Sequence, residues 1–449
     1  MNRVLVVGAG LAGVEAASFL SQKGIEVILA ESKRKNLNPA QKIPTFAELV
    51  CTNSLKSKDP NSAHGMLKTE MRKLGSTVLK FAEMSSVPAG DALAVDREEF
   101  SKLITESIEA NDLITVIDQD VSDPIALAKE HNCNFTIIST GPLTTDNLSK
   151  WIQENLSGDD YYFYDAIAPV VDADSLDLDK LYFKDRHKEL TDTADYLNAP
   201  MSEEQYYEFV QAMVDAEKVQ PKDFEEARFF EACLPIDLMA ERGKDTPRFS
   251  CMKPIGLEVD SENPPYAVVQ LRKENLLGSA YNLVGFQTRL KYPEQLKVFR
   301  MIPGFENAQF NHLGSVHRNS FLNAKKLLNW DMSTQKYPNI HFAGQITGVE
   351  GYTESAASGL YGAYQVYKKI IDKSFAKFPV ESALGALIHY VMTADRPAPS
   401  NINFGLIPPV ELNKAQRRDR KNRKKVKKTL ASERGQKIFD EFLSNEGVL

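Results

Sequence analysis

Residues 2–31 read NRVLVVGAGLAGVEAASFLSQKGIEVILAE, and the order of residue types in this stretch decides the fold. Residues 2–8 (NRVLVVG) are a short apolar run rich in β-branched residues that stops at glycine, the pattern of a parallel strand buried on both faces. Leu11–Lys23 is rich in alanine and stops at Gly24, which predicts a helix with a glycine terminator. The next strand is expected at Ile25–Leu29. Strand, turn, helix and strand in such close succession make a βαβ unit.

The turn between the first strand and the helix is Gly8-Ala9-Gly10-Leu11-Ala12-Gly13, a GxGxxG pattern. Alone the pattern is weak; between a strand and a helix each glycine has a task. Gly8 permits the tight turn, Gly10 lets the backbone approach a pyrophosphate, and Gly13 lets the helix pack against the strand. The helix N-terminus adds N–H donors and partial positive charge. Glu31, at the end of the second strand, is the acid expected to accept hydrogen bonds from an adenosine ribose. The competing reading is a tight turn with no ligand.

The far end of the chain favours FAD over NAD. Phe342-Ala343-Gly344-Gln345 follows an expected strand, and the small-residue stretch TESAASGLYGA (353–363) predicts a helix that packs closely and aims its N-terminus at negative charge. A tightly packed core helix without ligand is the alternative. Residues 135–139 (FTIIS) predict a further strand, ending at Thr140-Gly141. A helix is expected over 97–111 and a strand at Leu113–Val116.

From about residue 145 to 265 the composition shifts: tyrosines cluster at 161–164 and acids fill 172–180 and 202–226. The expected architecture is α/β, a discontinuous Rossmann-like FAD-binding domain of the GR2 type built from 1–145 and 266–449. A smaller α/β domain is inserted at 146–265. Tyr266–Leu271 and Tyr281–Phe286 are expected as strands bracketing a turn at Asn275–Ser279.

No run of about 18 apolar residues occurs, so no membrane span is expected. Four cysteines without a CxxC spacing argue against a disulfide framework and a zinc ribbon. A cytoplasmic protein with reduced thiols and no metal is the expectation. Net charge is −7, but Lys414–Lys428 (KAQRRDRKNRKKVKK) holds ten basic residues and one acid, a local +9 that leaves the rest of the chain at −16. Such asymmetry fits a polyanion held at a defined place, with Arg417, Arg418, Arg420, Lys421, Arg423, Lys424 and Lys425 as its contacts. A solvated charge run is the plain alternative.

Longer motifs carry a resemblance. They are FAELVCTNSLKS (46–57), MLKTEMRKLGS (66–76), VPAGDALAVDREEF (87–100), STGPLT (139–144), FYDAIAP (163–169), CLPID (233–237) and MKPIGL (252–257). YAVVQLRKEN, YNLVGFQTRLKY, FRMIPG, HRNSF and FAGQITGVEGYTESAASGL complete the set. With GAGLAGVEAA at 8–17 they span nearly the whole chain, which resembles the folate- and FAD-dependent tRNA (uracil-5-)-methyltransferases. The resemblance implies three small molecules: FAD, methylenetetrahydrofolate as one-carbon donor, and NADH or NADPH as reductant. The implied product is 5-methyluridine, with the T-loop of tRNA as the expected target and a 23S rRNA uridine as the nearest rival.

Uracil C5 is a poor nucleophile until a thiolate adds at C6, so this chemistry needs a covalent catalyst and a group to remove the C5 proton. The resemblance implies Cys233 as the C6 nucleophile and Cys51 as its partner. Cys133 and Cys251 are read as buried small hydrophobes. His317-Arg318-Asn319 is a weaker candidate for flavin or substrate contact, with a structural turn as the alternative. Arg272 and Arg289 are weaker candidates for a folate tail or RNA phosphate, with surface ion pairs as the alternative. Departures from the family pattern are NPAQKIPT before Phe46, Ala232 in place of a usual glycine, and the strongly basic tail; these bear on the RNA target. A flavoprotein group that modifies the tRNA wobble uridine usually carries a long C-terminal helical extension, which the short stretch after Lys428 does not match. From other classes, a FAD-dependent oxidoreductase of small molecules leaves the basic run and motif cysteines idle, and a flavin-bound RNA scaffold lacks catalysis.

Overall fold

The computed structural model describes residues 2–37, 41–157, 162–191, 194–219, 234–260, 262–273, 280–394, 399–414, 416 and 422–447. The chain opens with β1 (Arg3–Val7), α1 (Leu11–Gln22) and β2 (Glu26–Glu31). β3 (Ser54–Ser57), α2 (Ala63–Lys73), α3 (Thr77–Met84), β4 (Ser86–Val87), β5 (Ala92–Val95) and α4 (Arg97–Glu109) follow. Next come β6 (Ile114–Asp118), α5 (Pro124–Glu130), β7 (Phe135–Ile138) and α6 (Asp146–Ile152). The middle supplies β8 (Tyr162–Ile167), β9 (Val170–Asp172), β10 (Tyr182–Phe183), β11 (Tyr196–Met201), α7 (Glu203–Asp215), α8 (Ile236–Arg242) and α9 (Thr246–Phe249). It continues through β12 (Ala267–Lys273), β13 (Ala280–Leu283), α10 (Tyr292–Phe299), β14 (Phe310–His312) and β15 (Ser315–Ser320). The last third holds α11 (Ala324–Leu327), β16 (Ile340–Phe342), α12 (Tyr352–Ile370), α13 (Ala383–Thr393) and α14 (Arg423–Glu446).

A five-stranded parallel sheet, in the order β16-β7-β1-β2-β6, forms the nucleotide-type unit. Its central strand β1 has Val4, Leu5 and Val6 fully buried, as expected of a strand covered on both faces. α1 is buried from Leu11 to Ser21 because it is packed on more than one side. A Cβ on Gly359 of α12 would stand 2.2 Å from the Ala12 carbonyl oxygen, so the two helices touch through backbone. Glu15 of α1, wholly buried, caps α3 by accepting from Thr77 N (3.0 Å), Val78 N (3.1 Å) and Ser76 Oγ. Glu70 of α2 caps α13 the same way, accepting from Ala383 N (2.7 Å) and Leu384 N (2.8 Å). β16 enters this sheet from the far end of the chain, next to β7, so the unit is discontinuous.

The second sheet has six strands in the order β10-β11-β12-β13-β9-β14. Here the structure departs from the expected domain boundary. β12 and β13, placed by sequence in the nucleotide-binding unit, belong to this second sheet: Tyr196–Met201 pairs antiparallel with Ala267–Arg272. The reason is register. Alternate residues of β12 (Ala267, Val269, Leu271) join Leu197, Ala199 and Met201 in a core separate from that of the first sheet. β14 also pairs into this sheet, so the return to the nucleotide-type unit falls after β15 rather than at residue 266. The expected turn at 275–279 lies outside the described residues.

α14 is anchored by its C-terminal half, where Phe439 and Leu443 are buried and Phe442 meets Phe378 with ring centroids 4.7 Å apart. In its first turns Arg423, Lys425, Lys427 and Lys428 are exposed. Among the described residues no helix is long and apolar enough to cross a membrane, and no three His, Cys, Asp or Glu are grouped to hold a metal ion.

Candidate active site

The C-terminal ends of β16, β7 and β1 lie side by side, which brings three loops from distant parts of the chain to one crevice. At β1 the turn has the predicted geometry. A Cβ on Gly13 would fall 1.8 Å from the Gly8 carbonyl oxygen, whereas one on Gly10 meets nothing within 4 Å. α1 starts at Gly10, Leu11 and Ala12 without a side-chain cap, so its first N–H groups are left for a ligand. Glu31 is fixed at the lip: its Oε2 accepts from Ala9 N at 2.6 Å and its Oε1 from Lys33 N at 2.8 Å. Open space over Gly10, an uncapped helix start and a fixed carboxylate fit the pyrophosphate and ribose of a dinucleotide.

The loop after β7 is tied to the same turn. Ser139 Oγ lies 3.0 Å from the carbonyl oxygens of both Val7 and Gly8. Thr140 Oγ1 bonds Thr144 Oγ1 at 2.7 Å, and a Cβ on Gly141 would meet open space. After β16, Gly344 N donates to Ser358 Oγ of α12 at 2.5 Å, and Gln345 Nε2 donates to Glu350 Oε2 at 2.6 Å. The glycine turn, Glu31, Thr140-Gly141 and Gly344-Gln345 are thus brought to one side of the sheet.

Cys51 belongs to a loop that begins on the glycine turn, where Ala47 N donates to Ala9 O at 2.9 Å. The loop is held from two sides. Tyr352, the first residue of α12, accepts at its Oη from Cys51 N (2.8 Å) and Thr52 N (3.1 Å). Burial holds the Tyr352 phenol far above its ordinary range, so it stays neutral. From the second sheet, Arg272 Nε donates to Asn53 Oδ1 at 3.0 Å and its Nη2 donates to Thr52 Oγ1. Asn53 Nδ2 donates back to Lys273 O at 2.8 Å. Arg272 is 8% exposed, so it makes this strap rather than the surface ion pair that was the alternative read from sequence.

Below the loop, Glu354 is fully buried, with Oε1 3.2 Å from His64 Nδ1 and 3.9 Å from Lys56 Nζ. Burial opposes its ionisation, but Lys56 and His64 hold the carboxyl down at about 2.

Cys233 lies outside the described residues, as do Arg417, Arg418, Arg420 and Lys421. The described chain on either side of the Cys233 segment converges. Val219 N donates to Arg289 O and Ile236 N to Gln287 O, each at 2.8 Å. Asp237, the last residue of CLPID, accepts from Thr288 Oγ1 (2.9 Å), Arg289 N (2.9 Å) and Arg289 Nε (2.6 Å). Arg289 also donates to Glu241 at 2.6 Å, so it is spent inside the protein rather than on an external phosphate. His317–Asn319 is a strand segment of β15 paired with Asp165–Phe163 of β8, not a turn. The other two cysteines are held as thiols: burial pushes Cys133 up to about 11 and Cys251, against Gly285, up to about 12.

Sequence reading missed Tyr352 and the strap that Arg272 makes to Thr52 and Asn53. The signal for Tyr352 was its position directly after Gly351 at the start of a small-residue helix.

These features define a flavoprotein-type α/β fold carrying an inserted mixed unit. Two crystal forms of GidA from Aquifex aeolicus share that fold. Their TM-scores are 0.67 and 0.66 at 15% and 14% identity, covering all of this chain and 76% and 74% of those. The family model described as Glucose inhibited division protein A matches residues 3–374. Among individual relatives, the "Methylenetetrahydrofolate--tRNA-(uracil-5-)-methyltransferase TrmFO" of Natranaerobius thermophilus is 46% identical over 447 residues, covering 99% of this chain and 100% of that one. The protein of the same name from Geobacter sulfurreducens is 47% identical over 425 residues, covering 94% and 95%. The chain belongs to the Glucose inhibited division protein A family and, within it, to the TrmFO group.

Proposed function

We propose that this protein uses methylenetetrahydrofolate to methylate C5 of a uridine in the T-loop of tRNA, with NADH or NADPH as reductant. The observation that carries the reading is a loop holding Cys51, clamped by Tyr352 and Arg272, that begins at the glycine turn of a dinucleotide-type crevice. The family relatives support it throughout the chain's length.

Gly8–Gly13 and Glu31 would hold the adenosine and pyrophosphate of FAD, with Thr140-Gly141 and Gly344-Gln345 toward its other end. FAD bound there supplies the electrons that bring the folate's one-carbon unit to the methyl level. The chain's own part is on the uracil. The Cys233 thiolate adds to C6, the C6–S bond forms, and the electron pair of the ring double bond moves toward O4, which makes C5 nucleophilic. Once C5 carries the new carbon, its proton passes to a base, the role this reading gives to Cys51, and the Cys233 thiolate leaves as the double bond re-forms. Arg423, Lys424 and Lys425, with the basic residues before them, would contact RNA phosphates.

Replacing Cys233 by alanine tests the assignment. Methylation is expected to be abolished with FAD and tRNA binding retained; unchanged methylation overturns Cys233 as nucleophile.

A further inference from the structure

β12 and β13 run antiparallel with Arg272 opposite Asn282. Tyr281 and Leu283, either side of Asn282, enter the core of the inserted unit, so Asn282 faces the other way. That is the face of Arg272, which reaches Thr52 and Asn53 beside Cys51. Asn282 therefore sits one strand along from the side chain that straps the Cys51 loop.

Asn282 is 2% exposed, and its Nδ2 has no hydrogen-bond partner among the described residues. Other amides on this face are satisfied. Asn198 Nδ2 donates to Lys184 O at 2.9 Å, and Gln270 Nε2 donates to Asn198 Oδ1 at 3.3 Å. A buried donor left unpaired costs free energy, and native proteins keep few of them. One on the sheet face from which Arg272 reaches the Cys51 loop calls for an acceptor that arrives with a ligand.

We propose that Asn282 reads the substrate ring: its Nδ2 donates to the carbonyl oxygen of a lactam heterocycle seated between the second sheet and the Cys51 loop. The target uracil and the pterin of the folate share this chemistry. The inference rests on the function proposed above. The Arg272 guanidinium on the neighbouring strand adds positive charge nearby, which favours an oxygen where negative charge builds, as on O4 of a uracil carrying a thiolate at C6.

The test uses the full-length FAD-loaded protein with Asn282→Leu and Asn282→Asp, and Asn282→Ala should leucine overpack. Single-turnover methylation of an unmodified tRNA transcript is measured with KM for methylenetetrahydrofolate. Calorimetric titrations with tetrahydrofolate and with a T-arm minihelix are run in parallel, together with Tm and bound-flavin absorbance. The leucine variant is expected to melt at or above the wild-type temperature, because an unpaired amide is gone. If the oxygen is the uracil's, single-turnover rate falls on the order of 10²-fold with folate KM unchanged. If it is the pterin's, folate KM and Kd rise on the order of tenfold. The aspartate variant, an acceptor where a donor is required, shows the same loss. Wild-type rates and affinities in the variants overturn the proposal, and so does loss of bound FAD, which would place the amide in the cofactor's site. If the wild type makes no 5-methyluridine, the function reading fails and the two titrations still decide Asn282.

Discussion

Removing one oxygen from Tyr352 tests how the Cys51 loop is held. In Tyr352→Phe the ring stays and only Oη is lost, the atom that accepts from Cys51 N at 2.8 Å and Thr52 N at 3.1 Å. Two backbone donors then lose their partner beside a half-buried cysteine, where water can replace part of the loss. A cost of about 1–2 kcal/mol follows. For a chain of 449 residues the unfolding entropy is near 0.9 kcal/mol/K, so Tm falls by only about 1–2 °C. If the same cost appears in aligning Cys51 for reaction, single-turnover methylation falls roughly 5- to 30-fold, one decade per 1.36 kcal/mol. Rapid quench with an unmodified tRNA transcript measures the rate, and KM for tRNA serves as control and is expected to hold. A variant with wild-type rate refutes the reasoning: the loop would then be set by Arg272 and Asn53 alone.

Gly13→Ala places a methyl 1.8 Å from the Gly8 carbonyl oxygen, so the turn must open; FAD retained after gel filtration is expected to drop, with a stability loss of about 1–3 kcal/mol. Glu70→Gln addresses pH. Burial raises the Glu70 carboxyl to about 8 despite bonds from Leu384 and Ala383. Between its ordinary value of 4.5 and about 8 the folded state holds a proton the unfolded state has released, so wild-type stability falls as pH rises through this window and levels above it. Tm measured from pH 5 to 9 should slope less in the glutamine variant; parallel slopes contradict this. Deleting residues 414–428 should weaken tRNA binding and shallow its dependence on log salt by about 0.9 for each duplex phosphate the run neutralises. An unchanged salt slope would make the run a solubilising face.

The first βαβ unit was legible because its signals are local: an apolar run, glycines at fixed offsets, and an acid at the end of the next strand. β16 and α12 were legible for the same reason, as a strand followed by Gly344 and a helix of small residues. β12 and β13 were visible as strands but not as members of the second sheet. Their alternation suits either sheet, and the partner strand Tyr196–Met201 lies far upstream, so only register decides. Arg272 read only as a candidate for a folate tail or RNA phosphate, and its strap stayed hidden because its partners, Thr52 and Asn53, are some 220 residues away. The Tyr352 clamp is hidden likewise, since nothing near Cys51 announces a phenol from the other end of the chain. Asp237 was quoted as part of CLPID, yet its bond to Arg289 needed the fold to bring the two motifs together.

The most direct test of the central claim is product formation on defined RNA. Purified protein is incubated with methylenetetrahydrofolate and NADH or NADPH on an unmodified tRNA transcript and, separately, on a 23S rRNA fragment, and digested nucleosides are scored by mass spectrometry. The account predicts 5-methyluridine in the tRNA alone, at a T-loop position, and none when the folate is omitted. Product on the ribosomal fragment alone contradicts the assigned substrate, and product on neither RNA contradicts the account itself.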